Sequence, residues 1–181
     1  MKYTTDITYY VACSIDGFIA DELGGVEWLG SVEKEGEDYG YSDFIDSNDA
    51  LVMGSRTYEQ VLSFGEWPYG TKPCWVMSKR PLAAVQPSVR ITSDEPKAVV
   101  SEIDRSGHLR VWLVGGSVTA GEFLEQGLIS HFIISFIPVI LGGGIPLFGG
   151  SPRIRELVLE RSERFQTGVV QLFYSANRPE E

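Results

Sequence analysis

The sequence predicts an α/β protein with a mainly parallel central sheet, helices on both faces of the sheet and an antiparallel hairpin at the C-terminal end. Short apolar runs alternate with helix-type patterns as far as about residue 130, an order typical of parallel strands joined by helices. Beyond that point, β-forming runs follow one another with no helical pattern between them. Strands in direct succession pair antiparallel, so the last two runs are expected to form an edge hairpin.

Composition limits the classes of function. With 181 residues, 43% of them hydrophobic, the chain is long enough to bury the core of one domain, which we expect to span residues 1–181. A net charge of −10 without a basic patch argues against nucleic acid and anionic membrane surfaces as partners. There is no signal-peptide core and no apolar run of membrane-spanning length, so we expect a soluble cytoplasmic protein.

The two cysteines, Cys13 and Cys74, each lie inside a predicted strand. We expect both to be small buried hydrophobic residues, because two cysteines make no disulfide framework. No spacing of cysteine and histidine resembles a zinc site, so no metal is predicted.

The first strand is predicted at residues 7–14, where Asp16 and Gly17 follow and open a glycine-rich loop. Ile19 and Trp28 are apolar side chains in this loop. A loop that closes over a ligand would explain them, and so would a loop anchored against the core. The acidic segment 33–46 that follows is expected to be helical in its second half.

The next strand, residues 50–53, ends in Gly54 and leads directly into a helix over 57–63. Ser55 is expected to be the N-cap of this helix. A helix that starts directly after a strand leaves several backbone N–H groups without partners, and the positive end of the helix dipole adds to them. Such a junction can bind phosphate.

Further strands are predicted at residues 73–78 and 89–92, and a helix at 95–105 with Ser93 or Asp94 as its cap. A second strand–helix junction then repeats the first. Strand 111–114 leads through Gly115, Gly116 and Ser117 into a helix that runs to about residue 126. Both junctions read Leu-Val-x-Gly-Ser-x-Thr, whereas one alone would be weak evidence. Two matching junctions suggest a diphosphate held between two helix N-termini.

The C-terminal third is rich in β-forming residues. It contains a predicted strand at residues 131–139, a glycine-rich stretch at 140–150, and a hairpin of 157–165 and 169–175 around the turn 166–168. A polar tail, 177–181, closes the chain. The apolar strands of this C-terminal third could supply a contact between two copies, so a homodimer is expected.

Four motifs carry a family resemblance over nearly the whole chain. They are Ala-x-Ser-x-Asp-Gly-x-Ile-Ala at 12–20, Met-Gly-x-Arg-Thr-Tyr-Glu at 53–59, Val-Gly-Gly-Ser at 114–117 and Pro-Val-x-Leu-Gly-x-Gly-Ile-Pro-Leu-Phe at 138–148. In these motifs the chain resembles the dihydrofolate reductase-like superfamily, in particular the reductase domain of bifunctional riboflavin-biosynthesis enzymes. The resemblance implies a dihydrofolate reductase-like fold and NADPH as cofactor.

The resemblance also implies which residues hold NADPH. The first junction would hold one side of the pyrophosphate through Gly54, Ser55, Arg56 and Thr57, and the second would hold the other side through Gly115, Gly116, Ser117, Val118 and Thr119. The 2′-phosphate contacts would come from Arg56, Ser78, Lys79 and Arg80, and an arginine fork with hydroxyl donors suits a dianion. An ordinary charged turn is the alternative for Lys79 and Arg80. No Gly-x-Gly-x-x-Gly fingerprint follows the first strand, which disfavours the ordinary dinucleotide fold.

For the chemistry, the resemblance points to a carboxylate on the helix after the loop, which would hold the substrate ring. Asp38 occupies that position, with Tyr41 and Asp43 as substitutes, although a solvated acidic face is the alternative. Asp16 is the third catalytic candidate beside Asp38 and Tyr41, and it is expected to contact substrate or nicotinamide, or else to form a turn with Gly17. The expected substrate contacts are Trp28, Gly142, Gly144 and Phe148.

Three functions therefore stay open for a small-molecule substrate. The first is an NADPH-dependent reductase similar to 5-amino-6-(5-phosphoribosylamino)uracil reductase, the second a dihydrofolate reductase acting on a pterin, and the third a nucleotide-binding protein without turnover. Val114 stands where riboflavin-type reductases commonly carry an acid, which brings the site closer to dihydrofolate reductase. No zinc-ligand pattern of a deaminase is present, so we expect no fused deaminase domain.

Overall fold

The computed structural model describes residues 3–150 and 154–177, and these contain an eight-stranded sheet. In spatial order its strands are β5 (Val89–Thr92), β4 (Cys74–Met77), β3 (Ala50–Gly54), β6 (Arg110–Gly115), β1 (Asp6–Ser14), β7 (His131–Ile137), β10 (Val170–Ala176) and β9 (Leu157–Arg164). The strands from β5 to β7 are parallel, whereas β10 is antiparallel to both β7 and β9. The predicted fold class is confirmed. Of the predicted polar tail 177–181, residues 178–181 lie outside the described residues.

Four α-helices and one 3-10 helix accompany the sheet in the described part of the chain. They are the 3-10 helix Glu27–Val32, α1 (Tyr41–Ser47), α2 (Ser55–Ser63), α3 (Pro96–Arg105) and α4 (Ser117–Glu125). The predicted caps were wrong: Gly54 is the N-cap of α2, and Glu95 precedes Pro96 at the start of α3. Proline suits the first helical position because the N–H group it lacks would have no partner there. Ser55 itself is the first residue of α2.

The helices cover both faces of the sheet. On one face, Val99 and Ile103 of α3 and Phe123 of α4 pack in the larger buried cluster with alternate residues of β1. On the other face, Tyr58 of α2 and Phe44 of α1 pack around a second cluster. All five residues of β3 are buried, as expected for a parallel strand that is covered on both faces.

The two glycine-rich stretches pair with each other. They contain the short antiparallel strands β2 (Phe18–Ala20) and β8 (Ile145–Pro146), and the Leu147 N–H donates to Gly17 O at 2.8 Å. Ile19 packs against the larger cluster, and Trp28 packs beside the smaller cluster formed by Val32, Ile137 and Val169. The loop after β1 is therefore anchored against the rest of the fold. Strands of two or three residues carry no readable period, which is why the sequence did not predict them.

Both cysteines are buried and free, as predicted. Burial raises the pKa of the Cys13 thiol to about 11 and that of the Cys74 thiol to about 12, so both stay protonated and unreactive at neutral pH. The described residues contain no cluster of acidic, histidine and cysteine side chains that could hold a metal ion. Among the same residues, no helix combines the length and apolar character needed to cross a bilayer.

Candidate active site

The two strand–helix junctions lie side by side. β3 and β6 are parallel neighbours, so their carboxyl ends, and the helices α2 and α4 that follow, start at the same edge of the sheet. The junctions are in close contact: a Cβ atom added to Gly54 would lie 2.4 Å from Thr119 Oγ1, and one added to Gly116 would lie 3.3 Å from Thr57 Oγ1. Glycine is needed at both positions for this approach, and Gly116 also has a φ of 94°.

Both helices begin without a side-chain cap. Gly54 and Gly116 are the N-caps, and neither α2 nor α4 has a side-chain hydrogen bond to its first N–H groups. Ser117 is only 6% exposed, and its buried Oγ has no hydrogen-bond partner among the described residues. A buried hydroxyl without a partner is costly, and so are uncapped N–H groups at a helix start. These groups mark a place where a ligand could supply the missing acceptors.

The junctions open into a cleft of about 1010 Å³, which we call the first cleft. The end of β4, the start of α3 and residues of β2 and β8 complete its walls. The predicted cofactor residues that line it are Gly54, Ser55, Arg56, Thr57, Ser78, Lys79, Arg80, Gly116, Ser117, Val118 and Thr119. Gly115 is buried directly behind them and is not a lining residue. The structure thus brings the two junctions and the end of β4 together.

Three cations line the first cleft. Arg80 forms an ion pair with Glu59, and its guanidinium holds the pKa of that carboxyl below its ordinary value. Arg56 and Lys79 form no ion pair with any described residue. The Ser78 hydroxyl is used locally, since it donates to Arg80 O at 2.7 Å.

Carboxylates also line the first cleft, namely Glu22, Glu59, Asp94, Glu95 and Glu122. The cleft as a whole is therefore not electropositive. An anion would be held by the local N–H groups, the Ser117 hydroxyl and the two unpaired cations. This donor set fits a dinucleotide diphosphate with a further phosphate near Arg56 and Lys79.

A second cavity, of about 720 Å³, lies over the carboxyl half of β1. Its lining residues are Tyr10, Val11, Ala12, Leu29, Val32, Glu33, Lys34, Glu35, Glu37, Asp38, Tyr39, Tyr41, Trp112, Ser135, Ile137 and Val169. Aromatic rings form much of its wall, and the Tyr41 and Trp112 rings meet edge to face with centroids 5.8 Å apart. Two of the three predicted catalytic residues, Asp38 and Tyr41, line this cavity, and Asp16 does not.

Asp38 caps α1. Its carboxylate accepts the N–H groups of Gly40 and Ser42, both at 3.0 Å. The Ser42 hydroxyl, followed by these backbone donors, holds the pKa of Asp38 below its ordinary value, so the carboxylate is ionised at neutral pH. Burial raises the pKa of Tyr41, which stays a neutral phenol.

Asp16 links the two glycine-rich stretches. Its carboxylate accepts the N–H groups of Leu141 at 3.1 Å and Gly142 at 2.7 Å. The Ser14 hydroxyl, with these N–H groups, holds the pKa of Asp16 below its ordinary value. The position of Asp16 thus fits the turn-forming alternative, and its catalytic role stays a prediction.

The four expected substrate contacts line neither the first cleft nor the second cavity. Phe148 packs against Tyr9, with ring centroids 5.7 Å apart. Gly144 lies so close to β2 that an added Cβ would be 2.1 Å from Ala20 O. Trp28 has a buried indole N–H without a partner among the described residues. Gly142 is held by Asp16, and for all four residues substrate binding stays a prediction.

The sequence analysis missed a polar group beside the second cavity. Gln171 of β10 is only 2% exposed, and its Nε2 donates to Ser135 Oγ at 2.9 Å and to Tyr10 Oη at 3.1 Å and lies 3.4 Å from Tyr39 O. A single glutamine within the otherwise continuous apolar run 169–174 of the last predicted strand was the available signal. A buried amide requires partners, and here those partners line the cavity.

Comparison with known proteins now identifies the family. A model of the RibD C-terminal domain matches residues 5–171. The chain belongs to this family. This chain is also 36% identical to "Uncharacterized protein YwjB" of Bacillus subtilis (strain 168) over 166 residues, which cover 91% of this chain and 94% of that protein.

Solved structures share the fold. A Shewanella sp. PV-4 protein assigned to riboflavin biosynthesis is 31% identical, with a TM-score of 0.88 over 96% of this chain and 100% of that chain. A Thermotoga maritima diaminohydroxyphosphoribosylaminopyrimidine deaminase/5-amino-6-(5-phosphoribosylamino)uracil reductase has a TM-score of 0.70 and 16% identity, over 95% of this chain and 56% of that chain. Dihydrofolate reductase from Enterococcus faecalis, complexed with NADP(H), has a TM-score of 0.68 and 15% identity, over 98% and 100%. The last two likenesses concern the fold alone.

Proposed function

We propose that this RibD C-terminal domain chain is an NADPH-dependent reductase of a ribosylaminopyrimidine or a related heterocycle. One observation carries the proposal. Two uncapped helix N-termini lie side by side in the first cleft, where the buried Ser117 hydroxyl has no partner among the described residues. This is the donor set that a dinucleotide diphosphate requires. The fold shared with a uracil reductase and with a dihydrofolate reductase complexed with NADP(H) supports the same proposal.

In this proposal the two junctions hold the diphosphate of NADPH from either side. Arg56 and Lys79 bind the 2′-phosphate, because they line the first cleft and have no competing ion pair among the described residues. Arg80 contributes less, since it must first leave Glu59. When bound, NADPH supplies a hydride, and the chain contributes binding and orientation.

The second cavity is then the place for the ring that is reduced. Its aromatic walls suit a flat heterocycle, and ionised Asp38 suits an amino group on such a ring. Because its pKa is lowered, Asp38 holds the ring in place and does not supply a proton at neutral pH.

Reduction of a pterin is the second candidate. It is favoured by Val114, which stands where riboflavin-type reductases commonly carry an acid, and by the low number of cations beside the second cavity. Among the lining residues Lys34 is the one cation, and its Nζ donates to Gln166 Oε1 at 2.8 Å.

The test is the oxidation of NADPH, followed by its absorbance, with a panel of aminopyrimidine ribosides, their 5′-phosphates and dihydropterins. Oxidation that depends on a pyrimidine riboside supports the first candidate, and oxidation with dihydropterins that methotrexate inhibits supports the second. Tight NADPH binding without oxidation by any member of the panel would leave a nucleotide-binding protein and would refute the reductase. NADH serves as the control for the 2′-phosphate contacts.

A further inference from the structure

The polar groups beside the second cavity form a defined set, which we call the cavity floor: the hydroxyls of Tyr10 and Ser135 and the backbone carbonyl of Tyr39. All three residues line the cavity, and they come from β1, β7 and the segment before α1. Buried Gln171 donates its two amide N–H groups to the Ser135 and Tyr10 hydroxyls at 2.9 and 3.1 Å, and its Nε2 lies 3.4 Å from the Tyr39 carbonyl, which fixes their relative positions. A group of polar atoms held from behind by a buried amide is prearranged to meet a ligand.

Tyr39 is held in an unusual conformation. Its φ is 58°, the one positive φ of a non-glycine residue in the described chain. For a tyrosine this left-handed conformation costs roughly 1–2 kcal/mol, so the surrounding contacts must compensate for it. Its phenol donates to Val32 O and contacts Thr167 Oγ1 at 2.9 Å, while the Glu37 carboxylate accepts its N–H at 2.9 Å. The Tyr39 carbonyl is thereby fixed beside the Tyr10 hydroxyl.

The cavity floor has bonding capacity left for a ligand. Tyr10 Oη lies 3.3 Å from Tyr39 O and Gln171 Nε2 lies 3.4 Å from it, so both bonds to this carbonyl are long. The Tyr10 hydroxyl can therefore turn towards a ligand acceptor, and the Tyr39 carbonyl can then accept a ligand N–H. Burial raises the pKa of Tyr10, which keeps this hydroxyl protonated at neutral pH.

The rim of the second cavity is acidic. The carboxylates of Glu33, Glu35, Glu37 and Asp38 line it, and Lys34, the one lining cation, is already bonded to Gln166. A phosphate dianion at this rim would meet several like charges at close range and no unengaged cation among the lining residues. The first cleft differs, since Arg56 and Lys79 are unpaired there among the described residues.

We propose that the second cavity selects a flat heterocycle through a lactam edge, an N–H beside a C=O, and excludes ligands that carry a phosphate. The ligand N–H donates to the Tyr39 carbonyl, and the ligand C=O accepts from the Tyr10 hydroxyl. The proposal rests on the proposed function in one respect, namely that this cavity is the substrate side of the site. It restricts the substrate class to unphosphorylated rings.

The experiment compares three matched probes: uridine, 3-methyluridine, in which the lactam N–H is blocked, and uridine 5′-monophosphate. Each is titrated calorimetrically with saturating NADP⁺ present, so that the first cleft is filled and no reduction occurs. We expect uridine to bind at least about 10-fold more tightly than either of the other two probes, because one lost hydrogen bond or one repelled charge corresponds to roughly that factor. Equal or tighter binding of the monophosphate overturns the proposal, and so does an absence of uridine binding.

Two sets of variants assign the binding to the cavity. Tyr10→Phe should weaken uridine and 3-methyluridine alike, by about 5- to 10-fold, because both lose the donor to the ring C=O. Tyr3→Phe is the matched control, because the Tyr3 phenol bonds Lys97 O far from the cavity. Glu33→Lys with Glu35→Lys should raise the affinity for the monophosphate about 10-fold at low salt, and this gain should shrink as salt is added. Uridine binding that is unchanged in Tyr10→Phe contradicts the proposal.

These titrations need no hydride transfer, so they separate this inference from the proposed function. A protein that prefers uridine but oxidises no NADPH would fail the reductase test and still support the lactam-edge selection. A protein that turns over a phosphorylated riboside, with monophosphate binding that depends on Tyr10, would support the reductase and overturn the exclusion of phosphate.

Discussion

Asp38 shows how one carboxylate can be assigned a role from its surroundings. The Ser42 hydroxyl and two backbone N–H groups hold its pKa below the ordinary value, so it is charged throughout the neutral range. A lowered folded pKa stabilises the fold above the unfolded pKa of about 3.9, and that stabilisation is lost as pH falls through the folded pKa. Asp38 is therefore a permanent negative charge beside the second cavity at neutral pH.

For Asp38→Asn we expect a higher KM and an unchanged shape of the pH–rate profile between about pH 5 and 8, since the carboxylate does not titrate there. As pH falls below the unfolded pKa of about 3.9 and on through the lowered folded pKa, the wild type and the variant should converge in stability, because the wild-type charge is then lost. NADPH oxidation and thermal unfolding at several pH values measure both effects. A neutral-pH limb of the rate profile that vanishes in the variant would identify Asp38 as the proton donor.

Arg56 and Lys79 are expected to distinguish NADPH from NADH. Replacing each with Ala should weaken NADPH roughly 10- to 100-fold, the value of a lost charge-assisted hydrogen bond, and should change NADH only slightly. Arg105→Ala, in the last turn of α3 and outside the first cleft, is the control. Dissociation constants from fluorescence titration provide the measurement. Equal losses for both nucleotides would remove the 2′-phosphate assignment.

Gly116→Val should abolish binding of the cofactor, because the new side chain would enter the space between Thr57 and Thr119 where the two junctions meet. Gly107→Val is the matched control: its φ of 79° is also positive and so strains a valine, but its surroundings are open. Titration with NADPH of variants that circular dichroism shows to be folded is the check. Binding equal to that of the control variant would mean that the second junction is structural only.

The elements differ in how far the sequence predicted them. The strand–helix junctions were predicted because an apolar run, a glycine and a helical pattern follow each other within a few residues. The caps were not, since serine at 55 suggested a side-chain cap where the structure places glycine. The pair β2–β8 was missed because strands of two or three residues are too short to show an alternation of apolar and polar side chains. The cavity floor was missed because its members are far apart in sequence.

The start of α4 depends on a close approach to the second glycine-rich stretch. The Gly149 N–H donates to Ser117 O at 3.0 Å, and a Cβ added to Gly121 would lie 1.9 Å from Gly149 O. Alanine normally favours a helix over glycine by about 1 kcal/mol, but this clash with backbone costs more. The balance therefore favours glycine.

We accordingly expect Gly121→Ala to lower the free energy of unfolding by roughly 2 kcal/mol. Gly30→Ala, where an added Cβ meets nothing within 4 Å, should change it by less than about 0.5 kcal/mol. Denaturant titration measures both values. A stabilised Gly121→Ala variant would show that the stretch around Gly149 can move away from α4.

Strand β9 forms an exposed edge of the central sheet. Val158 and Leu159 of β9 are 51% and 53% exposed, and strand β10 pairs with one side of β9 only. An exposed edge strand with apolar side chains is a template for pairing with another strand. Antiparallel pairing of two copies about Ser162 would place Glu160 opposite Arg164 and Arg161 opposite Glu163. We therefore propose that the expected homodimer forms along β9.

Arg161→Glu with Arg164→Glu should dissociate this dimer, because four carboxylates of one copy would then lie opposite four carboxylates of the other. Glu160→Arg with Glu163→Arg should do the same with the opposite charge. Mixing the two monomeric variants should restore a dimer, which sedimentation velocity would detect. A wild type that sediments as a monomer, or variants that remain dimeric, would exclude β9 as the contact.

The bare starts of α2 and α4 also concern the lifetime of the protein. A helix normally satisfies its first N–H groups with its own side chain, and here that task is left to whatever fills the first cleft. A ligand that binds only the folded chain adds its binding energy to the stability of the fold. We therefore expect the cellular level of the protein to follow the supply of the proposed nucleotide, because chains without a bound ligand open more often and are degraded sooner.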